Sequence, residues 1–263
     1  MAQRSPHAAD TWVRAEVLGG LKLWVDLGDM FVSHNCIRGN YEPIETEYLR
    51  SILKPGMRFA DIGANIGWFT LLAASIVGKD GRVFSFEPRI NTFNHLKRSI
   101  ADNDFTDRCE THNVALGAKA GEWNIGWSEK TLNPGGTWSV PHAALEAMFK
   151  KTGHLFQRAK VAALDDLVGD NRIDVIKIDV EGAEPLAMNG AGKVLRRDRP
   201  IILSEINAGP MQQVSQVKAA DYVRLLVSAG YDCRELQKSG LGAPYTGETA
   251  GQMQVVNVVF MPR

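Results

Sequence analysis

The stretch FADIGANIGWFTLLAA, residues 59–74, runs from a short apolar strand through the turn Gly63-Ala64-Asn65-Ile66-Gly67 into an apolar helix. Glycines at such a turn let the backbone approach a ligand with no Cβ in the way, and the helix start offers free N–H groups. The spacing is G-x-x-x-G, without the G-x-G-x-x-G pattern that wraps a dinucleotide pyrophosphate. Asp61, just before the turn, would set a carboxylate close to a pyrophosphate, so a cationic ligand suits the site better.

Outward from this stretch, short apolar runs alternate with helical patterns, the signature of βαβ units and a parallel sheet in an α/β fold. Strands are predicted near Arg58–Ile62, Arg82–Glu87, Cys109–Ala115, Ile173–Asp179, Pro200–Ile206, Tyr231–Leu236 and Gln254–Met261. Helices are predicted near Pro43–Leu53, Trp68–Val77, Thr92–Asp102, Glu184–Leu195 and Ser215–Ala229, the last with Ser215 as N-cap and Gly230 as its stop. A doubly wound sheet binds its ligand at the carboxyl ends of its strands.

Several polar residues fall at those ends. Glu87, twenty residues past Gly67, can accept both hydroxyls of an adenosine ribose, and Pro88 fixes the backbone beyond it. S-adenosylmethionine is the nucleoside that needs no phosphate cradle. Asn113 could meet the adenine edge with Val114 against its face, or close a strand end through an Asx turn. The strand IDVIKIDVEGAE carries Lys177 where a buried parallel strand should be apolar, and ends in Asp179 and Glu181. Burying charge without a partner is costly, so Lys177 and a carboxylate should pair in a polar cleft. Glu205 and Asn207 end the next strand; if the two strands are neighbours, Asp179, Glu181 and Glu205 converge on one patch that has general-base capacity.

In order along the chain, DIGANIG, FEP, NVALG, LDDL, IKIDVEGAE and SEIN resemble the FkbM family of S-adenosylmethionine-dependent methyltransferases over roughly residues 43–207. The resemblance implies a class I methyltransferase (Rossmann-like) sheet of seven mainly parallel strands, the last antiparallel. It implies O-methylation of a hydroxyl on a sugar, polyketide or other secondary metabolite. It also implies cofactor contacts from Asp61, Gly63, Ala64, Asn65 and Gly67, from Glu87 and Pro88, and from Asn113, Val114 and Ala115, with Asp179 beside the donor. Glu47 stands where family members carry an acidic residue, which makes it a contact to the methionine amino group.

Methyl transfer from a sulfonium is an in-line displacement, and an alcohol becomes a good nucleophile as it loses its proton. Asp179 and Glu205 are the candidate bases, with Lys177 orienting a carboxylate or lowering the effective pKa of the alcohol. His34 is a third candidate if the N-terminal region folds over the site, its alternative being a packing or surface residue. Asp179, Glu205 and Asn207 are oxygen ligands of the kind that bind magnesium, although nothing in their spacing demands a metal. The alternatives are N-methylation on the same fold, a non-catalytic S-adenosylmethionine-binding scaffold, and a nicotinamide oxidoreductase, which the missing third glycine disfavours.

Residues 1–42 read as an N-terminal extension or cap, weakly alternating around Trp12 and Trp24, and residues 43–263 as the methyltransferase domain. An insert at about 122–163, with Trp123, Trp127 and Trp138 and a helix at Ala143–Lys151, reads as a substrate-facing lid; its alternative is a pair of extra edge strands. The 263 residues carry 30 Lys+Arg and 30 Asp+Glu, and this zero net charge argues against nucleic acid or an anionic membrane as partner. The expected partner is a small-molecule acceptor, with a homodimer as an option. Three cysteines without Cys-x-x-Cys spacing, no signal-like run and no membrane span point to the cytoplasm.

Overall fold

The computed structural model describes residues 7, 8, 10–128, 136–248 and 255–263. Gln254, which opens the predicted last strand, and residues 129–135 of the insert lie outside the described residues.

At the N-terminus, β1 (Trp12–Val17) and β2 (Leu21–Asp26) form an antiparallel hairpin. It turns through Gly19 and Gly20 at positive φ, a backbone that side chains with a Cβ rarely adopt. Alternation puts Leu23 and Val25 on the buried face. Next come α1 (Val32–Ile37) and α2 (Pro43–Ile52), whose first position is a proline, where a missing N–H costs nothing.

The predicted βαβ rhythm then appears as β3 (Arg58–Ile62), α3 (Trp68–Val77), β4 (Arg82–Phe86), α4 (Ile90–Asp102) and β5 (Cys109–His112). The chain leaves this sheet at Asn113 and continues as β6 (Ala115–Leu116), β7 (Gly121–Trp127), β8 (Thr137–Val140), α5 (Ala143–Lys151) and β9 (Leu155–Ala162). It returns through α6 (Leu164–Val168), β10 (Val175–Ile178), α7 (Glu184–Met188), α8 (Gly192–Arg197), β11 (Ile201–Asn207) and α9 (Ala208–Val214). The remainder is α10 (Ala219–Ser228), β12 (Tyr231–Gln237), β13 (Gly240–Pro244) and β14 (Val255–Pro262).

The main sheet has the order β13-β12-β14-β11-β10-β3-β4-β5, eight strands where seven were expected. The additional strand is β13, which folds back antiparallel on β12. From β11 to β5 every pairing is parallel, and β14 runs antiparallel to both β11 and β12. Both faces are covered. Ile62, Phe86 and Ile178 pack toward α6–α10, while Phe59, Val83 and Val175 pack toward α2–α4 and the N-terminal hairpin. Two-sided burial explains why these strands read as continuous apolar runs.

Four other expectations change. The single strand Cys109–Ala115 divides, because Asn113 donates its side-chain amide to the Glu87 and Pro88 carbonyls, 2.9 Å each, and Ala115 pairs instead with Val161 of β9. The helix Glu184–Leu195 breaks into α7 and α8. Ser215 closes α9, its hydroxyl donating to the Met211 carbonyl at 2.6 Å, so it does not start α10. The insert is neither a bare loop nor an addition to the main edge: β6-β9-β7-β8 is a separate four-stranded sheet.

Candidate functional site

The carboxyl ends of β3, β4, β10 and β11 open into a cavity of about 340 Å³, with Gly63, Glu87, Val114, Asp179 and Glu205 in its wall. Ala64, Asn65, Pro88 and Ala115 also line it. The glycine at position 63 answers first to the protein itself. At φ +83°, a Cβ there would lie 1.9 Å from the Asp179 carbonyl oxygen, so the turn is pressed against the end of β10. Gly67 faces away from the cavity, where a Cβ would meet Leu96 Cδ1 of α4 at 2.6 Å.

One end of the cavity is organised by Glu87. Its Oε2 accepts the Asn65 N–H at 3.0 Å and its Oε1 the Arg89 N–H at 2.8 Å, tying the end of β4 to the glycine turn. Burial pushes the carboxyl up to about 7 against the pull of these two hydrogen bonds. Asn65 adopts the left-handed conformation at φ +49°, and its side-chain oxygen is buried without a hydrogen-bond partner among the described residues. Phe86, Val114 and Leu116 make this end apolar on the sides.

The opposite end is acidic. Lys177, 5% exposed, follows the period of two along β10 to the same face as Asp179 and donates to its Oδ2 at 3.2 Å. The same ammonium lies 3.4 Å from Glu42 Oε2 and 4.4 Å above the Phe69 ring. Glu42 and the other carboxylates around it hold the Lys177 pKa above its ordinary value despite burial. Burial raises Glu42 to about 7, with Lys177 opposing. It raises Glu181 to about 8 and Glu205 to about 9, with repulsion from Asp179 next in each case.

Some predicted residues stand elsewhere. Asp61 is 1% exposed behind the cavity wall, where its Oδ2 accepts from Thr70 Oγ1 at 2.6 Å; burial pushes it up to about 6. Asn113 serves as the strand-end clamp described above and lines a neighbouring cleft. Glu47 points into solvent beside Arg50, because the buried face of α2 is Glu45, Thr46 and Leu49. His34 Nε2 bonds the Leu27 carbonyl at 3.0 Å, fastening the loop before α1 outside the cavity lining. Asn207 also lies outside that lining, so only Asp179 and Glu205 of the proposed metal ligands face the cavity. Among the described residues, no group of three or more His, Cys, Asp or Glu is placed to hold a metal ion.

The structure adds Glu42, Tyr41 and Phe31 to the cavity wall. Glu42 has φ 39°, ψ 62° directly before Pro43, a combination that the proline disfavours. The sequence signal was Tyr41-Glu42-Pro43 at the head of the helix, where the carboxylate precedes the helix and escapes a search along its face.

An α/β sheet of this order with a cavity at its switch point defines a nucleoside-binding fold of the methyltransferase kind. The methyltransferase FkbM domain matches residues 61–233, and the chain belongs to the FkbM methyltransferase family. A search of curated proteins finds no match. In fold, the chain is similar to a proposed transferase from Pyrococcus horikoshii, with a TM-score of 0.51 and 16% identity, covering 97% of this chain and 74% of that one. It is also similar to the FkbM methyltransferase of Methylobacillus flagellatus KT, with a TM-score of 0.48 and 16% identity over 82% of this chain and 50% of that one. An O-methyltransferase from Bacillus cereus in complex with SAH gives a TM-score of 0.47 at 14% identity, over 84% of this chain and 81% of that one. The chain therefore spans half the length of the Methylobacillus protein. No described helix is long and apolar enough to cross a membrane.

Proposed function

We propose that this chain is an S-adenosylmethionine-dependent O-methyltransferase acting on a hydroxyl of a small molecule. The observation that carries the reading is the polarity of one cavity, with Glu87 beneath the glycine turn at one end and the Lys177 carboxylate cluster at the other. The residues suit this cofactor. The buried Asn65 oxygen offers an unused acceptor, and an acidic wall favours a ligand that carries positive charge.

S-adenosylmethionine, when bound, supplies a methyl group on a cationic sulfur. Glu87 has acceptor capacity left over for ribose hydroxyls. Val114, Ala115 and Pro88 would flank the cofactor's base, and the Asn65 oxygen would serve its amino acid part. Asp179 takes the acceptor proton, with Lys177 fixing its orientation through the 3.2 Å contact. Glu205, pushed up to about 9 by burial, already carries its proton at neutral pH and so is not free to accept another. The tryptophan-bearing second sheet contributes Thr137 and Ser139 to the same wall and acts as the acceptor-side cover.

Calorimetric titration with S-adenosylmethionine and S-adenosylhomocysteine, with NAD as control, tests the reading. Binding of the first two alone is expected; binding of NAD alone, or of nothing, overturns it. Asp179→Asn is expected to keep S-adenosylhomocysteine binding and to lower turnover about a hundredfold. Near-normal turnover would transfer the base role to another carboxylate.

A further inference from the structure

One imidazole ties the insert to the main fold. β8 supplies Thr137 and Ser139 to the cavity wall and ends at Val140, and two residues later His142 starts α5. Its Nδ1 accepts the Leu145 N–H at 3.3 Å, capping α5, and its Nε2 lies 3.0 Å from the Gln213 carbonyl oxygen near the end of α9. The first turn of a helix leaves N–H groups without partners and the last turn leaves carbonyls, so a single ring here serves one of each. A carbonyl needs a donor and an N–H needs an acceptor, so the ring carries its proton on Nε2 and none on Nδ1. β8, α5 and α9 also share a small apolar cluster of Val140, Leu145, Phe149 and Val214.

Among the described residues, the other titrating or charged groups around this junction are Glu146, Lys150 and Lys151 of α5, His154 beyond it, Glu181 and Glu184 at the start of α7, and Lys218 after α9; β8 and α9 themselves carry none. Glu146 is engaged by Lys150 and by Asn124 at 2.9 Å, and His154 stacks on Phe149 with its Nδ1 2.7 Å from Thr152 Oγ1. Glu184 accepts the Val180 and Gly182 N–H groups. We propose that His142 is a pH-sensitive clasp: the neutral ring ties α5 to α9 and so fixes the β8 side of the cavity, and protonation releases it. Imidazole is the side chain that changes charge between about pH 5 and 8. A proton added at Nδ1 turns the cap acceptor into a donor facing the Leu145 N–H, so the bond to α5 is lost while the α9 carbonyl keeps its donor. β8 then loses this polar tie to the main fold, and Thr137 and Ser139 gain freedom in the wall. The clasp acts on the wall itself, whichever ligand the cavity takes.

Two measurements on the full chain test it. In 15N-histidine-labelled protein at about pH 7.5, long-range proton–nitrogen spectra are expected to show His142 as the Nε2–H tautomer; the Nδ1–H tautomer overturns the inference. Amide exchange resolved by NMR, corrected for its intrinsic pH dependence, is expected to show Leu145 protection falling about fivefold from pH 7.5 to 5.5, as fits the loss of one helix cap. The Thr137 and Ser139 amide shifts are expected to move with the midpoint of the His142 ring. His142→Asn keeps a cap acceptor that does not titrate, so its Leu145 protection is expected to stay level between the two pH values with Glu146, His154 and the other groups left in place. A fall of the same size in His142→Asn, level protection in the wild-type chain, or Thr137 and Ser139 shifts that ignore the His142 midpoint overturns the inference.

Discussion

Glu87 is at once a carboxylate in the cavity wall and a fastening between β4 and the glycine turn. Its position at the end of the second parallel strand was legible from its distance past the turn, but its two backbone partners were not, since they depend on how the turn folds back. Glu87→Ala is accordingly expected to weaken S-adenosylmethionine binding about tenfold and to cost about 1–3 kcal/mol of stability through the orphaned Asn65 and Arg89 N–H groups. Calorimetry and urea unfolding separate the two effects; an unchanged affinity would take Glu87 out of the site. Glu42 shows the converse case. Local rules disfavour its conformation, and strained residues at a site are where reasoning from local propensity fails. Glu47 was drawn in by its helix, yet the helix phase that buries Leu49 turns Glu47 outward.

At the scale of elements, α3 and α5 match their expected limits: α3 is apolar almost throughout between Gly67 and Gly78, and α5 opens on His142, whose side chain accepts the Leu145 N–H. The division of β5 from β6 and of α7 from α8 escaped the sequence for a shared reason: both breaks are imposed by partners distant along the chain. Gly190 shows it, since a Cβ there would lie 2.1 Å from the Gly117 carbonyl oxygen. The same kind of contact gives the glycine turn its rigidity. Gly63→Ala is expected to destabilise the protein by more than about 1 kcal/mol, because φ +83° and the Asp179 carbonyl 1.9 Å away both oppose a methyl group. Denaturant unfolding of the purified variant checks this, and a midpoint equal to wild type would show that β10 can yield.

For the whole molecule, zero net charge conceals a concentrated acidic site, which composition has no means of showing. Glu42 and Glu87 are raised to about 7, Glu181 to about 8 and Glu205 to about 9, all by burial first. A carboxyl whose folded pKa is raised binds its proton more tightly in the native state than in the unfolded chain. Stability therefore falls as pH rises between the ordinary carboxylate range and those raised values. The apparent Tm of the ligand-free protein is expected to decline from about pH 5 to pH 9, and S-adenosylmethionine to reduce the decline by placing positive charge among the carboxylates. A flat or rising Tm over that range would show that the carboxyls are solvated. The chain also crosses from the eight-stranded to the four-stranded sheet at Asn113, whose amide grips the Glu87 and Pro88 carbonyls one residue before Val114 enters the cavity wall. In engineering terms, the second sheet is thus no interchangeable cassette: grafting a homologous one re-splices the segment that lines the cavity, so under the proposed function a new acceptor range would arrive together with a changed donor affinity.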